Sequence, residues 1–249
     1  MNRKDLGILV GLLLTDGCVS GRYVLFHNKS DIMHNLFREK ISKLFGEMHI
    51  HESMQENGVK ISSISNRKLV DELKQKTKME IFRRKQFLDG TFPEVRIPKF
   101  MKHLSSEALQ EILQVIFTAD GSVSLSARWH KGNKNWEVRR RIELSCKHPK
   151  LRKDFFDLIE MVDFLPRTSG ENITLERKSD IIKFSNYVRF VPGVKVGGDS
   201  KYWKGFEKNQ VLDAAVKTFA LKKKDLEHFK MKSEVMDFLI LQSTPIMVS

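Results

Sequence analysis

Asp16 and Asp120 are the residues of this chain whose type and placing could do chemistry. Each closes an apolar run and each precedes a glycine: Ile8-Leu9-Val10-Gly11-Leu12-Leu13-Leu14-Thr15-Asp16-Gly17 and Ile112-Leu113-Gln114-Val115-Ile116-Phe117-Thr118-Ala119-Asp120-Gly121, offset by 104 positions. A carboxylate in the last turn of a helix faces the negative end of the helix dipole, at a cost of a few tenths to ~1 kcal/mol. A lone Asp-Gly reads as an exposed turn. The same cost at matched places in two copies of a pattern points to use. Two converging acids could share divalent metal, which can polarise a phosphate ester and promote its hydrolysis.

The elements that would position them repeat. Residues 6–14 are apolar nearly all round and 108–117 almost so, and helices of that kind are buried on most sides. They are expected to pack on each other, with Gly11 allowing a close approach and Gly17 and Gly121 acting as left-handed stops. After the first run the pattern predicts a hairpin (18–20 with 23–26), a helix (30–45), a second hairpin (48–54 with 59–64) and a helix (67–77). After the second run it predicts a longer hairpin (122–129 with 136–146), a helix (149–162), a short hairpin (167–168 with 173–177) and a helix (179–188). Both halves therefore read α-β-β-α-β-β-α. The fold class expected is α+β, two pseudo-symmetric αββαββα halves with two antiparallel sheets. The expected division is an N-terminal half over residues 1–90, a C-terminal half over 91–200 and a charged helical extension over 201–249. Helices are expected at 204–221 and 224–241. Pro93, Pro98 and Gly90 argue against a long regular element in 78–105.

The composition agrees with a nucleic-acid partner. Among 249 residues, 44 Lys and Arg face 31 Asp and Glu, a formal charge of +13 that favours a polyanion. Cys18 and Cys146 have no zinc-type spacing and read as reduced thiols. The apolar run near the N-terminus has no signal-peptide cleavage site and is too short to span a bilayer. An intracellular, soluble chain with no membrane partner is expected.

These segments resemble the paired signature motifs of the LAGLIDADG homing endonucleases. The first, Leu9 to Gly17, keeps the leucines, the inner glycine and the terminal Asp-Gly; the second, Leu113 to Gly121, keeps Ala-Asp-Gly and has Val115 in place of the inner glycine. The resemblance covers about residues 5–190. It implies a monomer whose halves meet through the two motif helices and whose sheets form a saddle on the DNA major groove. It implies cleavage of both strands across the minor groove at a long pseudo-palindromic duplex site, leaving short 3′ overhangs, as in intron homing. Asp16 and Asp120 would be catalytic and hold Mg²⁺, two or three divalent ions shared between them. Lys29 and Lys147, at matching places after the second strand of each half, become candidate catalytic lysines.

The strand faces suggest where DNA would lie. In the long hairpin Ser124, Ser126, Arg128 and His130 share a face with Arg139, Arg141 and Glu143, opposite an apolar face on which only Arg140 is charged. Arginine can read guanine edges in the major groove. The first half offers Arg22, His49, His51 and Ser53. Two other classes of function remain: an RNA-binding intron maturase on the same scaffold, and a non-catalytic DNA-binding regulator. Acids kept in both halves favour cleavage over either, and residues 206–241 lack the glycine of a helix-turn-helix.

Overall fold

The computed structural model describes residues 2–80, 82, 85–198 and 200–241. The elements run α1 (Arg3–Thr15), β1 (Gly17–Ser20), β2 (Tyr23–Asn28), α2 (Asp31–Phe45), β3 (His51–Met54), β4 (Lys60–Ser65) and α3 (Arg67–Thr77). The second half follows with α4 (Ser106–Asp120), β5 (Gly121–His130), β6 (Asn135–Ser145), α5 (Pro149–Met161), β7 (Arg167–Ser169), β8 (Asn172–Leu175) and α6 (Lys178–Tyr187). Each half carries one antiparallel four-stranded sheet, in the order β1-β2-β4-β3 and β5-β6-β8-β7. The duplicated α+β architecture is the one that the repeated pattern predicts.

The core lies between and beneath the sheets. From Leu6 to Thr15 every residue of α1 is buried, Gly7 and Gly11 included. Helices α1 and α4 pack together, and the fit is of large on small. A Cβ on Gly7 would lie 2.5 Å from Ile112 Cδ1, and one on Gly11 would lie 3.3 Å from Ile116 Cγ1. Gly7, not Gly11 alone, therefore sets the approach. Opposite the α1 glycines, α4 contributes isoleucines that fill the space, and Val115 is buried beside them.

The glycines after the acids do not serve as left-handed stops. Gly121 is extended, at φ −100° and ψ 165°, and Gly17 is not among the positive-φ residues. Close packing requires them instead. A Cβ on Gly17 would sit 2.5 Å from Leu13 Cα, and one on Gly121 would sit 2.5 Å from the Phe117 carbonyl oxygen. The strand leaves the helix so tightly that the last turn occupies the side-chain volume.

Residues 78–105 hold only a 3₁₀ turn, Lys99–His103, among those described. This connector is stitched to α5. Asp154, 1% exposed, accepts two bonds from Arg96 at 2.7 and 2.6 Å and one from the Ile97 amide at 3.0 Å. His148 caps α5 through the Leu151 amide and bonds the Pro93 carbonyl at 2.8 Å. Asp154→Ala is expected to cost ~2 kcal/mol, since it strands a buried amide and an arginine; a urea titration checks it.

The segment after α6 departs from the predicted helices. Gly205 takes φ +86°, which a helix starting at 204 cannot hold. The helix α7 begins at Lys208 behind a reciprocal Glu207–Gln210 cap and ends at Lys217. The 3₁₀ turns Thr218–Ala220 and Lys223–Asp225 follow, then α8 (Lys232–Leu241). Glu234 binds the amides of Lys230 and Met231 and delays the start of α8. Both α7 and α8 pack on β5. Arg140, the one charge on the apolar strand face, is taken up here. It donates to Thr218 Oγ1 at 2.7 Å and Thr218 O at 2.5 Å and lies 4.5 Å from the Phe219 ring centroid. Cys18 is half-buried and Cys146 buried, and neither is in a disulfide.

Candidate functional site

The two acids sit where the two packed helices run out. Asp16 caps α1, with its amide bonded to the Leu12 carbonyl at 3.0 Å and its carbonyl accepting from the His27 amide at 2.8 Å. Its Oδ2 accepts from Asn28 Nδ2 at 2.6 Å. Asn28 in turn receives the Ser30 amide at 2.7 Å on its Oδ1, which fixes the side chain that holds Asp16.

Behind Asn28 lies His34, fully buried. Its Nε2 is 3.1 Å from the Asn28 carbonyl and its Nδ1 is 2.7 Å from Ser62 Oγ. Burial holds His34 below the ordinary imidazole range, with the Asn28 contact opposing it. A neutral ring facing a carbonyl must donate from Nε2, so Nδ1 accepts the Ser62 hydroxyl. Ser62, His34 and Asn28 thus form a chain that ends on Asp16.

The second half reproduces the backbone part of that chain with other chemistry. His34 and Arg152 each stand three residues past the first residue of their helix. Arg152 Nη1 donates to the Cys146 carbonyl at 3.0 Å, as His34 does to the Asn28 carbonyl. The Cys146 thiol turns to the His148 carbonyl at 3.6 Å. Asp120, half-buried at the end of α4, is approached from elsewhere.

That approach is Lys208, at the start of α7. Its Nζ donates to the carbonyls of Thr118 and Gly121, each at 2.7 Å. Burial pushes its pKa down to about 8, against the opposing pull of Asp16 and of Asp120. Lys208 thus bonds the backbone on either side of Asp120 and lines one cavity with Asp16. A lysine whose folded pKa lies below its ordinary 10.5 holds its proton less tightly folded than unfolded. Its contribution to stability therefore rises as pH climbs from about 8 to 10.5. In Lys208→Met that rise is expected to vanish, which urea titrations of both chains at ~pH 7.5 and ~pH 10 would show.

A cavity of about 530 Å³ opens beside Asp16 and the end of α4, lined by Asp16, Asn28, Lys29, Thr118, Lys195 and Lys208 among others. Lys29 is exposed at its rim; Lys147 is exposed in the turn between β6 and α5. Sequence reasoning missed Lys195 and Lys208, because they follow the repeated region and have no partner in the first half. The Glu207–Gln210 spacing and the apolar set Val211, Leu212, Ala214 and Ala215 are the sequence signal that would have placed a buried helix start at 208.

The donor set suits a hard cation. Two carboxylates supply oxygen only, and no group of three or more His, Cys, Asp or Glu that could hold a metal ion occurs among the described residues. Magnesium takes a site with one or two carboxylates and fills the rest with water and substrate oxygen, whereas zinc prefers nitrogen and sulfur.

The strand residues fall as follows. Ser124, Ser126, Arg139, Arg141 and Glu143 line one recess on the polar face of β5 and β6. Arg141 is held there by Glu143 at 2.9 Å and Glu176 at 2.5 Å. Arg128 pairs with Glu137 across the ladder, and His130 Nδ1 accepts the Asn133 amide within the hairpin turn. Arg22 is at the exposed tip of the first hairpin, over the Tyr23 ring. His51 and Ser53 are exposed on β3, whereas His49 lies before the strand starts. No described helix is long and apolar enough to cross a membrane.

No family model matches the chain, and no curated relative matches it in sequence. Solved structures do match in fold. A point mutant of I-SmaMI superposes with a TM-score of 0.53 at 11% identity, over 96% of this chain and 97% of that one. The LAGLIDADG meganuclease I-AabMI bound to uncleaved DNA gives 0.51 at 11% identity, over 97% of this chain and 98% of that one. The meganuclease I-SmaMI bound to uncleavable DNA with a TTGT central four gives 0.50 at 12% identity, over 94% of this chain and 97% of that one.

Proposed function

We propose that this chain, which has the fold of the LAGLIDADG meganucleases, is a site-specific double-strand DNA endonuclease of that family. The observation that carries the reading is that α1 and α4 pack together and each ends in an aspartate, with Lys208 bonded to the backbone around Asp120 and lining one cavity with Asp16. The likeness in fold to meganucleases solved with DNA supports it. A divalent cation, Mg²⁺ in the first instance and two or three ions in all, would be held by Asp16 and Asp120. When bound, it would polarise the scissile phosphate and neutralise charge on the leaving oxygen.

The chain's own residues supply the rest. Asn28 orients the Asp16 carboxylate, and Lys29 and Lys147 face the phosphates as exposed cations. The polar face of β5 and β6, with Ser124, Ser126, Arg128, His130, Arg139, Arg141 and Glu143, would lie in the major groove. Arg22, His49 and His51 would extend contact from the first half. Since Arg141 is already paired with two carboxylates, it reads a base only by exchanging one of them for a guanine edge. Arg139 and Arg128 are the freer readers. A monomer would span a long pseudo-palindromic target and cut across the minor groove to leave short 3′ overhangs.

Incubation with a randomised duplex library and Mg²⁺, followed by sequencing of cut ends and of bound, uncut duplex, tests this. A recurrent long site cut on both strands is the expected result. Enrichment without cleavage would turn the reading to a binding protein, with RNA as the next ligand. The absence of both enrichment and cleavage would remove DNA as the substrate.

A further inference from the structure

The two motif helices end without a cation of their own: neither α1 nor α4 has a basic residue in its last turn. Unsatisfied carbonyls at a helix C-terminus attract lysine and arginine. The segment after α6 meets that need at α4 through a connected set of contacts. Gln114 donates to the Val188 carbonyl at 3.0 Å. The Thr118 hydroxyl accepts the Val191 amide at 2.8 Å. Asn209 closes a reciprocal pair with the Phe190 backbone, 2.9 Å in each direction. Lys208, next to Asn209, reaches past the Phe190 ring to the carbonyls of Thr118 and Gly121.

We propose that Lys208 is a positioning residue for the acid pair, gripping the two carbonyls that bracket Asp120 and thereby fixing the carboxylate beside Asp16. Asp16 is held through its side chain by Asn28, backed by His34 and Ser62. The backbone on either side of Asp120 is held by a lysine from outside the duplicated unit. That Lys208 holds the end of α4 stands on geometry alone; that this matters for cleavage rests on the proposed function.

The test uses the full chain as wild type, Lys208→Met, Lys208→Arg and the exposed control Lys232→Met. Backbone hydrogen exchange is read over residues 117–123, and turnover and duplex affinity are read on a cleaved site from the library. In Lys208→Met, exchange at the α4–β5 junction is expected to quicken by about tenfold while distant peptides keep their rates. The cleavage rate is expected to fall by about 10²-fold with duplex affinity held, as for a displaced catalytic group. Lys208→Arg should recover most of both, which loss of packing alone would not allow, and the control should match wild type. Unchanged exchange in Lys208→Met would overturn the proposal. So would quickened exchange with undiminished turnover. Quickened exchange in a chain whose wild type cuts no duplex would leave the grip on α4 standing and remove the nuclease reading instead.

Discussion

Asp16→Asn and Asp120→Asn are each expected to abolish cleavage of both strands, with the double variant no worse than either single one. The loss should be at least ~10³-fold, or about 4 kcal/mol of transition-state stabilisation. The reason for the non-additivity is geometric. Helices α1 and α4 pack together and end in Asp16 and Asp120, and Lys208 lines one cavity with Asp16 while bonding the backbone around Asp120, so the carboxylates are expected to act as one centre. Groups that act as a unit lose nearly everything when either is removed. Duplex affinity should stay level or rise, because each substitution removes a negative charge that faces phosphates. Rates measured separately on the two labelled strands check this. A single variant that still nicked one strand at the wild-type rate would show that the acids serve separate centres.

Gly121→Ala should be the most damaging single-methyl change in the chain. The added carbon would lie 2.5 Å from the Phe117 carbonyl oxygen, 2.9 Å from the Glu143 carbonyl oxygen and 3.0 Å from Phe117 Cα. All three are backbone atoms, so no rotamer change relieves the contact. Forced overpacking costs typically 1–3 kcal/mol, and ~3 kcal/mol or more is expected here. Urea unfolding measures it. By contrast Gly7→Ala meets the far end of a flexible side chain, Ile112 Cδ1, and should cost less. The Gly121→Ala chain that remains folded should also cleave poorly, since relief can come only from moving the strand away from the helix that ends in Asp120. Equal losses at Gly7 and Gly121 would contradict the account.

What could be read in the residues beforehand was the repetition. Apolar runs of two periods, turn glycines and the matched Asp-Gly pairs are local signals, and each of them placed an element to within a few residues. The role of the glycines after the acids was not legible, because it comes from a collision with the preceding turn rather than from a backbone angle. Nor was the inner seam: Gly7 has meaning only once Ile112 is known to lie above it. Arg140 looked like an error in an apolar face until Thr218 and Phe219, nearly 80 positions later, closed over it. Lys208 was hidden for the same reason. A lysine among many lysines carries no local mark, and its importance arises from contact with carbonyls 90 and 87 positions earlier. Long-range packing decides such residues, and repetition says nothing about a segment present once.

The seam between α1 and α4 bears on how the two halves could ever be exchanged. Glycines stand on one side and isoleucines on the other. By the 104-position offset, Ile8 and Leu12 are the counterparts of Ile112 and Ile116, so two copies of the first half would again set a branched side chain over each glycine. In two copies of the second half, Glu111 and Val115 would stand where Gly7 and Gly11 give room, against Ile112 and Ile116. The second half therefore cannot act as its own mate, and the two helices are no longer interchangeable. Chimeras that recombine halves from different sources should keep a glycine-bearing first helix against an isoleucine-bearing second one.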